Sequence, residues 1–198
     1  MHKEDLLSDP LKQFEHWYEE ARKSGEESPD AMTLATANAK GCPSARVVLY
    51  KGIDKEGFLI FTNYNSRKSK ELLENPHAAL VFYWPKLYRQ VRIEGKVKKI
   101  TKAESQHYFN TRPYESKISA WVSEQSQEIP SREYLLERHI EGQQKFAEGE
   151  EVTCPDFWGG FRLVPDRMEF WLGAEHRLHD RFCYEKVGEQ WKIKRLAP

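Results

Sequence analysis

The sequence predicts a mainly β domain with peripheral helices, a closed or split antiparallel barrel of the α+β class, and three observations predict it. Apolar residues alternate with period two in runs near both ends of the 198-residue chain, the mark of strands with one buried face. A helical stretch interrupts the β-rich parts once, without the regular strand and helix alternation that builds a parallel sheet. No internal repeat, low-complexity tract or Pro/Gly/Ser-rich linker divides the chain, so residues 1–198 read as a single domain.

The elements follow in order. Residues 9–23 form an amphipathic helix on the outside of the domain: Asp9 caps it, Pro10 occupies its first turn, and Leu11, Phe14, Trp17 and Tyr18 share a face. Three short strands (MTLATA, ARVVLYKG and GFLIFTN) then form a meander between Met32 and Tyr64, with turns at Lys40-Gly41 and Asp54 to Gly57. A helix over 66–74 stops before Asn75-Pro76, and the strands AALVFYW and YRQVRIEGKVKKI follow. Thr101 and Glu104 have capping-box spacing and open a helical insertion over 101–147, in pieces reaching Arg112, then Ser116 to Ser123 and Ser131 to Ala147. From 157 to 198 the pattern is again β: FWGGFRLV, MEFWLG, a run near RLHDRFCYE, and WKIKRL after a turn at Val187 to Gln190.

Composition excludes several function classes. Lys plus Arg equals Asp plus Glu at 31 each, so the basic excess of a general nucleic-acid binder is missing and any anion site is local. Mean hydropathy is −0.79, and no window reaches the roughly 18 apolar residues of a membrane span. The N-terminus lacks the apolar core of a secretory signal, which points to the cytoplasm. The cysteines, Cys42, Cys154 and Cys183, are odd in number and widely spaced, as in a chain with reduced thiols. His176-x-x-His179 has no further ligands nearby, so no metal is expected. Nucleotide-binding glycine motifs and the GxSxG nucleophile elbow are also missing.

Several local patterns carry chemistry. Ser66-Arg67-Lys68-Ser69-Lys70 places three cations at the start of a helix, where the macrodipole disfavours positive charge. A bound phosphate would resolve that conflict, with Asn65 or Ser66 as the cap; the alternative is a solvated basic turn. In ARVVLYKG, Arg46 and Lys51 point to opposite faces, as functional groups or as the wet rims of a strand. Gln90, Arg92 and Glu94 share one face of their strand, and Gln90 is able to bond a ligand ring or only water. Tyr108 and Arg112 are four apart on a helix with Ser116 just beyond, a donor set suited to a phosphate monoester or an ordinary helix face. Arg177, His179 and Arg181 fall on one side if residues 177–181 are extended, either as a functional cluster or as a salt-bridged surface strand.

Together, the blocks ARVVLYKG, FTNYNSRKSKEL, ALVFYWPKLYRQVRIEG, YFNTRPYESKISAWVSEQS, WGGFRL, EFWLGAEHRLHDR and RLAP resemble, in order and over nearly the whole chain, the pyridoxamine 5′-phosphate oxidase family. The resemblance implies an FMN-binding split-barrel homodimer with the flavin at the subunit interface. It implies that Arg46, Val47, Val48, Leu49, Phe61 and Thr62 line the flavin and that Arg67 and Lys68 hold its phosphate. Gln90, and from the other subunit Gln125, Ser126, Trp171 and Arg181, would complete that site. Lys51, Tyr108, Arg112 and Ser116 would clamp the substrate phosphate, and Arg177, Leu178 and His179 would lie at the substrate ring, with Arg177 and His179 catalytic. The implied reaction oxidises pyridoxamine or pyridoxine 5′-phosphate to pyridoxal 5′-phosphate and reduces dioxygen to hydrogen peroxide. A flavin oxidase of another aromatic, such as a phenazine precursor, and a non-catalytic FMN or pyridoxal phosphate binder are the competing readings.

Overall fold

The computed structural model describes residues 1–147 and 149–198. Its first helix, α1 (Pro10–Lys23), starts where Asp9 accepts a hydrogen bond from the Leu11 amide, with Pro10 in the first turn. The three runs expected to form a meander are β1 (Ala31–Ala37), β2 (Pro43–Leu49) and β3 (Phe58–Asn63), but only β1 and β2 pair with each other, because β3 crosses to β6; α2 (Arg67–Glu74) follows. Strands β4 (His77–Trp84) and β5 (Arg89–Lys99) precede the helices α3 (Lys102–Asn110), α4 (Tyr114–Val122) and α5 (Arg132–Lys145). The chain closes with β6 (Trp158–Leu172), β7 (Asp180–Val187) and β8 (Gln190–Arg195).

The eight strands form one sheet in the order β2-β1-β4-β5-β6-β7-β8, and β3 pairs with β6 off that path. All named pairs are antiparallel. One edge of β6 carries β5; the other is shared, with β3 on residues 158–163 and β7 on residues 167–172. No ladder joins β2 to β3 among the described residues, so the barrel is split rather than closed.

The sequence pattern suggests two strands, FWGGFRLV and MEFWLG, where the structure has the single 15-residue β6. Pro165 and Asp166 do not end it. They are absorbed by a register shift opposite Glu94 and Gly95, where two residues of one strand face one of its partner. Gly95 permits this, because a Cβ there would lie 2.1 Å from the Val164 carbonyl oxygen.

Helix α1 does more than cover the outside. Phe14 is fully buried and meets Phe58 edge-on at 4.9 Å, Phe82 at 4.8 Å and Tyr50 at 5.5 Å. Each such ring contributes about 1.5–3 kcal/mol by burial. A second apolar cluster, built from Phe109, Ile118, Val122, Val152 and Trp158, fixes α3 and α4 to the first half of β6. The capping box that starts α3 forms as expected: Thr101 Oγ1 accepts from the Glu104 amide, and the Glu104 carboxylate accepts from the Thr101 amide at 2.8 Å.

Candidate active site

A cavity of about 560 Å³ opens between β2, β3, α3 and α4. It gathers Val48 and Leu49 from β2, Lys51 beyond it, Phe61 and Thr62 from β3, Tyr108 of α3, Arg112, Ser116 of α4 and Gln125. Residues far apart in sequence meet because β3 and α3 both pack on the glycine pair of β6. A Cβ on Gly159 would fall 2.2 Å from the Tyr64 hydroxyl and 2.8 Å from Ser105 Oγ, so only glycine admits the helix this close.

One wall is aromatic. Phe61 stacks on Tyr108 with centroids 3.7 Å apart, and both rings lie nearly parallel to Trp158, at 5.7 and 6.2 Å. The Arg112 guanidinium sits 4.8 Å from the Trp158 ring centroid, a cation–π contact. Its Nη1 is buried with no hydrogen-bond partner among the described residues. Burial lowers the Arg112 pKa and raises that of Tyr108. An orphaned buried guanidinium nitrogen costs free energy until an acceptor reaches it. With Lys51, Tyr108 and Ser116 on the same cavity, the acceptor that fits is an anion with several oxygens.

The second cationic cluster adjoins this cavity through Lys68, whose Nζ donates to Gln125 Oε1 at 2.9 Å and to Thr62 Oγ1 at 3.3 Å. Its pKa is lowered, by burial and then by the nearby Arg46. Arg46 donates to the Leu34 carbonyl, Thr36 and Ser44, and approaches Glu71 at 3.4 Å. Arg67 pairs with Glu71 one turn on, Nε to Oε1 at 2.9 Å. The cation run at the helix start is thus partly answered within α2, a residue the sequence reading missed although its i,i+4 spacing from Arg67 was the available signal. Ser66 occupies the N-cap position without a side-chain cap bond, and Asn65 is not the cap. The Ser66 hydroxyl instead exchanges hydrogen bonds with Ser69 and Thr62. Trp158, which completes the aromatic wall, was also missed as a site residue; it read only as a strand position.

The remaining expected residues lie elsewhere. Val47 points out of the sheet and is 69% exposed, and Ser126, at a left-handed φ of 71°, borders a separate groove with Arg67 and Glu71. Gln90 faces Trp171 across the β5–β6 ladder, and Trp171 faces Arg181 across β6–β7. Within this chain Gln90 lies with Trp171 and Arg181, and Gln125 with Lys68 and Thr62, whereas the resemblance groups Gln125 with Trp171 and Arg181. Strand register fixes the first and a hydrogen bond fixes the second. Arg181 is held by both carboxylate oxygens of buried Glu169, at 2.8 and 3.1 Å.

Residues 177–181 are not extended, so Arg177, His179 and Arg181 do not share a strand face. A single 3-10 turn spans Glu175–Arg177, with His176 and Arg177 at positive φ of 56° and 62°, and β7 begins only at Asp180. The loop folds because the Gly173 amide donates to the Tyr88 carbonyl and the Ala174 amide donates to His179 Nδ1. His179 packs at 4.6 Å from Trp171, whereas Arg177 and Leu178 are exposed. None of these C-terminal residues lines the cavity. Among the described residues no cluster of His, Cys, Asp and Glu is placed to hold a metal ion, and no helix is long and apolar enough to cross a membrane.

Known proteins are similar to this chain in sequence and fold. Residues 18–144 match the family profile described as pyridoxamine 5′-phosphate oxidase, and residues 158–198 match that of the pyridoxine 5′-phosphate oxidase C-terminal dimerisation region. A pyridoxine/pyridoxamine 5′-phosphate oxidase of Coxiella burnetii is 67% identical over 98% of both chains. One of Cupriavidus taiwanensis is 51% identical over 98% of this chain and 91% of its own. Among solved structures, PhzG of Burkholderia lata in complex with tetrahydrophenazine-1-carboxylic acid superposes with a TM-score of 0.93 at 32% identity, covering 98% of this chain and 95% of that one. A pyridoxamine 5′-phosphate oxidase-related, FMN-binding protein of Nostoc punctiforme shares the fold, with a TM-score of 0.76 at 14% identity over 96% of this chain and 98% of its own. By its sequence over nearly its full length, the chain belongs to the pyridoxamine 5′-phosphate oxidase family.

Proposed function

We propose that this chain is an FMN-dependent oxidase that converts pyridoxamine or pyridoxine 5′-phosphate to pyridoxal 5′-phosphate. The observation that carries the substrate assignment is the orphaned Arg112 Nη1 in a cavity that also holds Lys51, Tyr108 and Ser116. Those groups offer two full charges and two neutral hydroxyl donors, the complement of a phosphomonoester carried on a flat ring. The cluster of Arg46, Arg67 and Lys68 around Glu71 fits FMN: three cations against one carboxylate leave two positive charges for a phosphate of about −1.5 to −2.

FMN, when bound, would supply the redox chemistry, a two-electron oxidation at C4′ with dioxygen as the final acceptor, reduced to hydrogen peroxide; with pyridoxamine 5′-phosphate, water would then release the amine nitrogen as ammonia. The protein's part is orientation. Lys51, Tyr108, Arg112 and Ser116 hold the substrate phosphate, and Arg46, Val47, Val48, Leu49, Phe61, Thr62, Arg67, Lys68, Gln125 and Ser126 hold the flavin from the same chain. A second copy supplies Gln90, Trp171 and Arg181 to the flavin, and Arg177, Leu178 and His179 to the substrate ring. Arg177 orients the substrate and steadies charge near C4′; His179 assists proton movement there. The length of β6 supports this division. Trp158 stands in the cavity wall at its start and Trp171 near its end, with roughly 40 Å of strand between them, so the assembly we propose is a homodimer with two shared sites.

The same reading takes residues 1–198 as one FMN-binding split-barrel domain and places the enzyme in the cytoplasm, with Cys42, Cys154 and Cys183 as free thiols. The test is oxygen consumption by FMN-loaded protein given pyridoxamine 5′-phosphate. Uptake with equimolar peroxide and pyridoxal phosphate is expected. Uptake only with a reduced phenazine carboxylate would move the assignment to that substrate class, and no uptake despite bound flavin would leave a storage protein.

A further inference from the structure

We propose that Glu71 is the positioning residue of the cofactor-phosphate site: its buried carboxylate fixes Arg46 and Arg67 and sets the charge of their cluster to that of a phosphate dianion. The inference rests on the reading of Arg46, Arg67 and Lys68 as the FMN phosphate site. Glu71 and Glu169 are the two buried acids among the described residues. Oε1 of Glu71 accepts from Arg67 Nε at 2.9 Å, and Oε2 accepts from Thr36 Oγ1 at 2.5 Å and Ser44 Oγ at 2.6 Å. Those two hydroxyls in turn accept from Arg46, Nη1 to Thr36 at 2.6 Å and Nη2 to Ser44 at 2.5 Å. One carboxylate therefore ties β1, β2 and α2 together and orders both arginines, Arg46 mainly through a relay of hydroxyls.

A buried carboxylate costs several kcal/mol unless it is paired and hydrogen-bonded, and this one is satisfied by cations that a phosphate also needs. Arg67 binds it through Nε alone, so among the described residues no protein acceptor engages its two terminal nitrogens. The pairing orients the guanidinium and leaves its outer donors for a ligand. Burial would raise the Glu71 pKa, but the bonds from Ser44, Thr36 and Arg67 outweigh that and bring it down to about 2, so it stays ionised in the working range.

The test compares FMN with riboflavin, which differ by the phosphate, in titrations of apo-protein followed by quenching of flavin fluorescence. In Glu71→Gln, close in volume but uncharged, FMN affinity is expected to fall about tenfold with riboflavin affinity within about twofold of wild type. Ser44→Ala and Thr36→Val, each lacking one relay hydroxyl, should lower the FMN preference by about three- to tenfold. An unchanged preference in Glu71→Gln, a rise from removing a competing negative charge, or an equal loss for both flavins overturns the proposal. Should Glu71→Gln not fold, unchanged preference in both relay variants overturns it. Arg46→Ala and Arg67→Ala separate the two readings: if neither lowers the preference, the phosphate-site assignment falls and this inference with it. If they do and Glu71→Gln does not, this inference alone falls.

Discussion

The cavity and the C-terminal loop at 173–181 are built on opposite principles. In the first, Phe61, Tyr108, Trp158 and Arg112 are locked by stacking and burial, and Lys68, Gln125, Arg46 and Glu71 satisfy one another within one chain. In the second, Arg177 and Leu178 stand exposed on a loop with two non-glycine residues at positive φ. Such backbone costs about 1–3 kcal/mol per residue and persists where the surrounding contacts hold it. The first region encloses a cavity within one chain; in the second, Leu178 and His179 border only an open groove against the C-terminal residues Arg195 to Pro198. The difference teaches that a short exposed loop can be held in one conformation by a few anchors, here Trp171 against His179 and Glu169 under Arg181.

The comparison can be broken most sharply at Arg112. Arg112→Ala should lower kcat/KM for pyridoxamine 5′-phosphate by about 10²–10³, because charge-assisted hydrogen bonds are worth about 1.5–3 kcal/mol each. Unphosphorylated pyridoxamine should be turned over almost equally by variant and wild type. A similar loss with both substrates would remove Arg112 from the phosphate site.

Acid stability probes the region that one chain completes. Because the Glu71 pKa is lowered from 4.5 to about 2, its contribution is present above pH 4.5 and lost as pH falls toward 2. The whole effect is roughly 3 kcal/mol. Denaturant midpoints of wild type should drop across that window more steeply than those of Glu71→Gln; parallel curves would contradict the assignment.

Smaller effects sharpen the picture of the clamp. Tyr108→Phe and Ser116→Ala each remove one neutral donor and should cost about three- to tenfold in kcat/KM, in line with 0.5–1.5 kcal/mol per hydrogen bond. Values equal to wild type would show the hydroxyls facing water.

The smallest signal decides the division between chains. Arg112→Ala and Arg177→Ala subunits, each inactive alone, should recover about a quarter of wild-type activity when unfolded and refolded together. Half the dimers are then mixed, each with one intact site. No recovery would mean that both residues serve the same site from one chain.

Much of this architecture was legible in residue order. The period-two runs of β1 and β3 to β5, the Asp9 cap and the Thr101–Glu104 box are local signals that formed where the pattern placed them, whereas β2 ends at Leu49 and leaves Lys51 outside the strand. Tyr108 and Arg112 could be proposed together from their four-residue spacing, although α3 ends at Asn110 and it is the turn into α4 that brings Arg112 and Ser116 to the same cavity. Pro165 misled the reading of β6, since a bulge needs the partner Gly95 as much as the proline. Residues 177–181 misled it too, because the turn is set by bonds to Tyr88 and within the loop rather than by alternation.

By itself the sequence determined the strand-rich class and the helical insertion, because these follow from periodicity over a few residues, and it offered phosphate binding at two cationic patterns as one of two readings of each. Only the tertiary structure decided which of those side chains share a cavity. The register of β5 on β6 sends Gln90 toward Trp171, the Lys68 bond keeps Gln125 beside Thr62, and the length of β6 separates Trp158 from Trp171. Contacts between distant segments depend on how strands align across the sheet, and no window of neighbouring residues encodes that alignment.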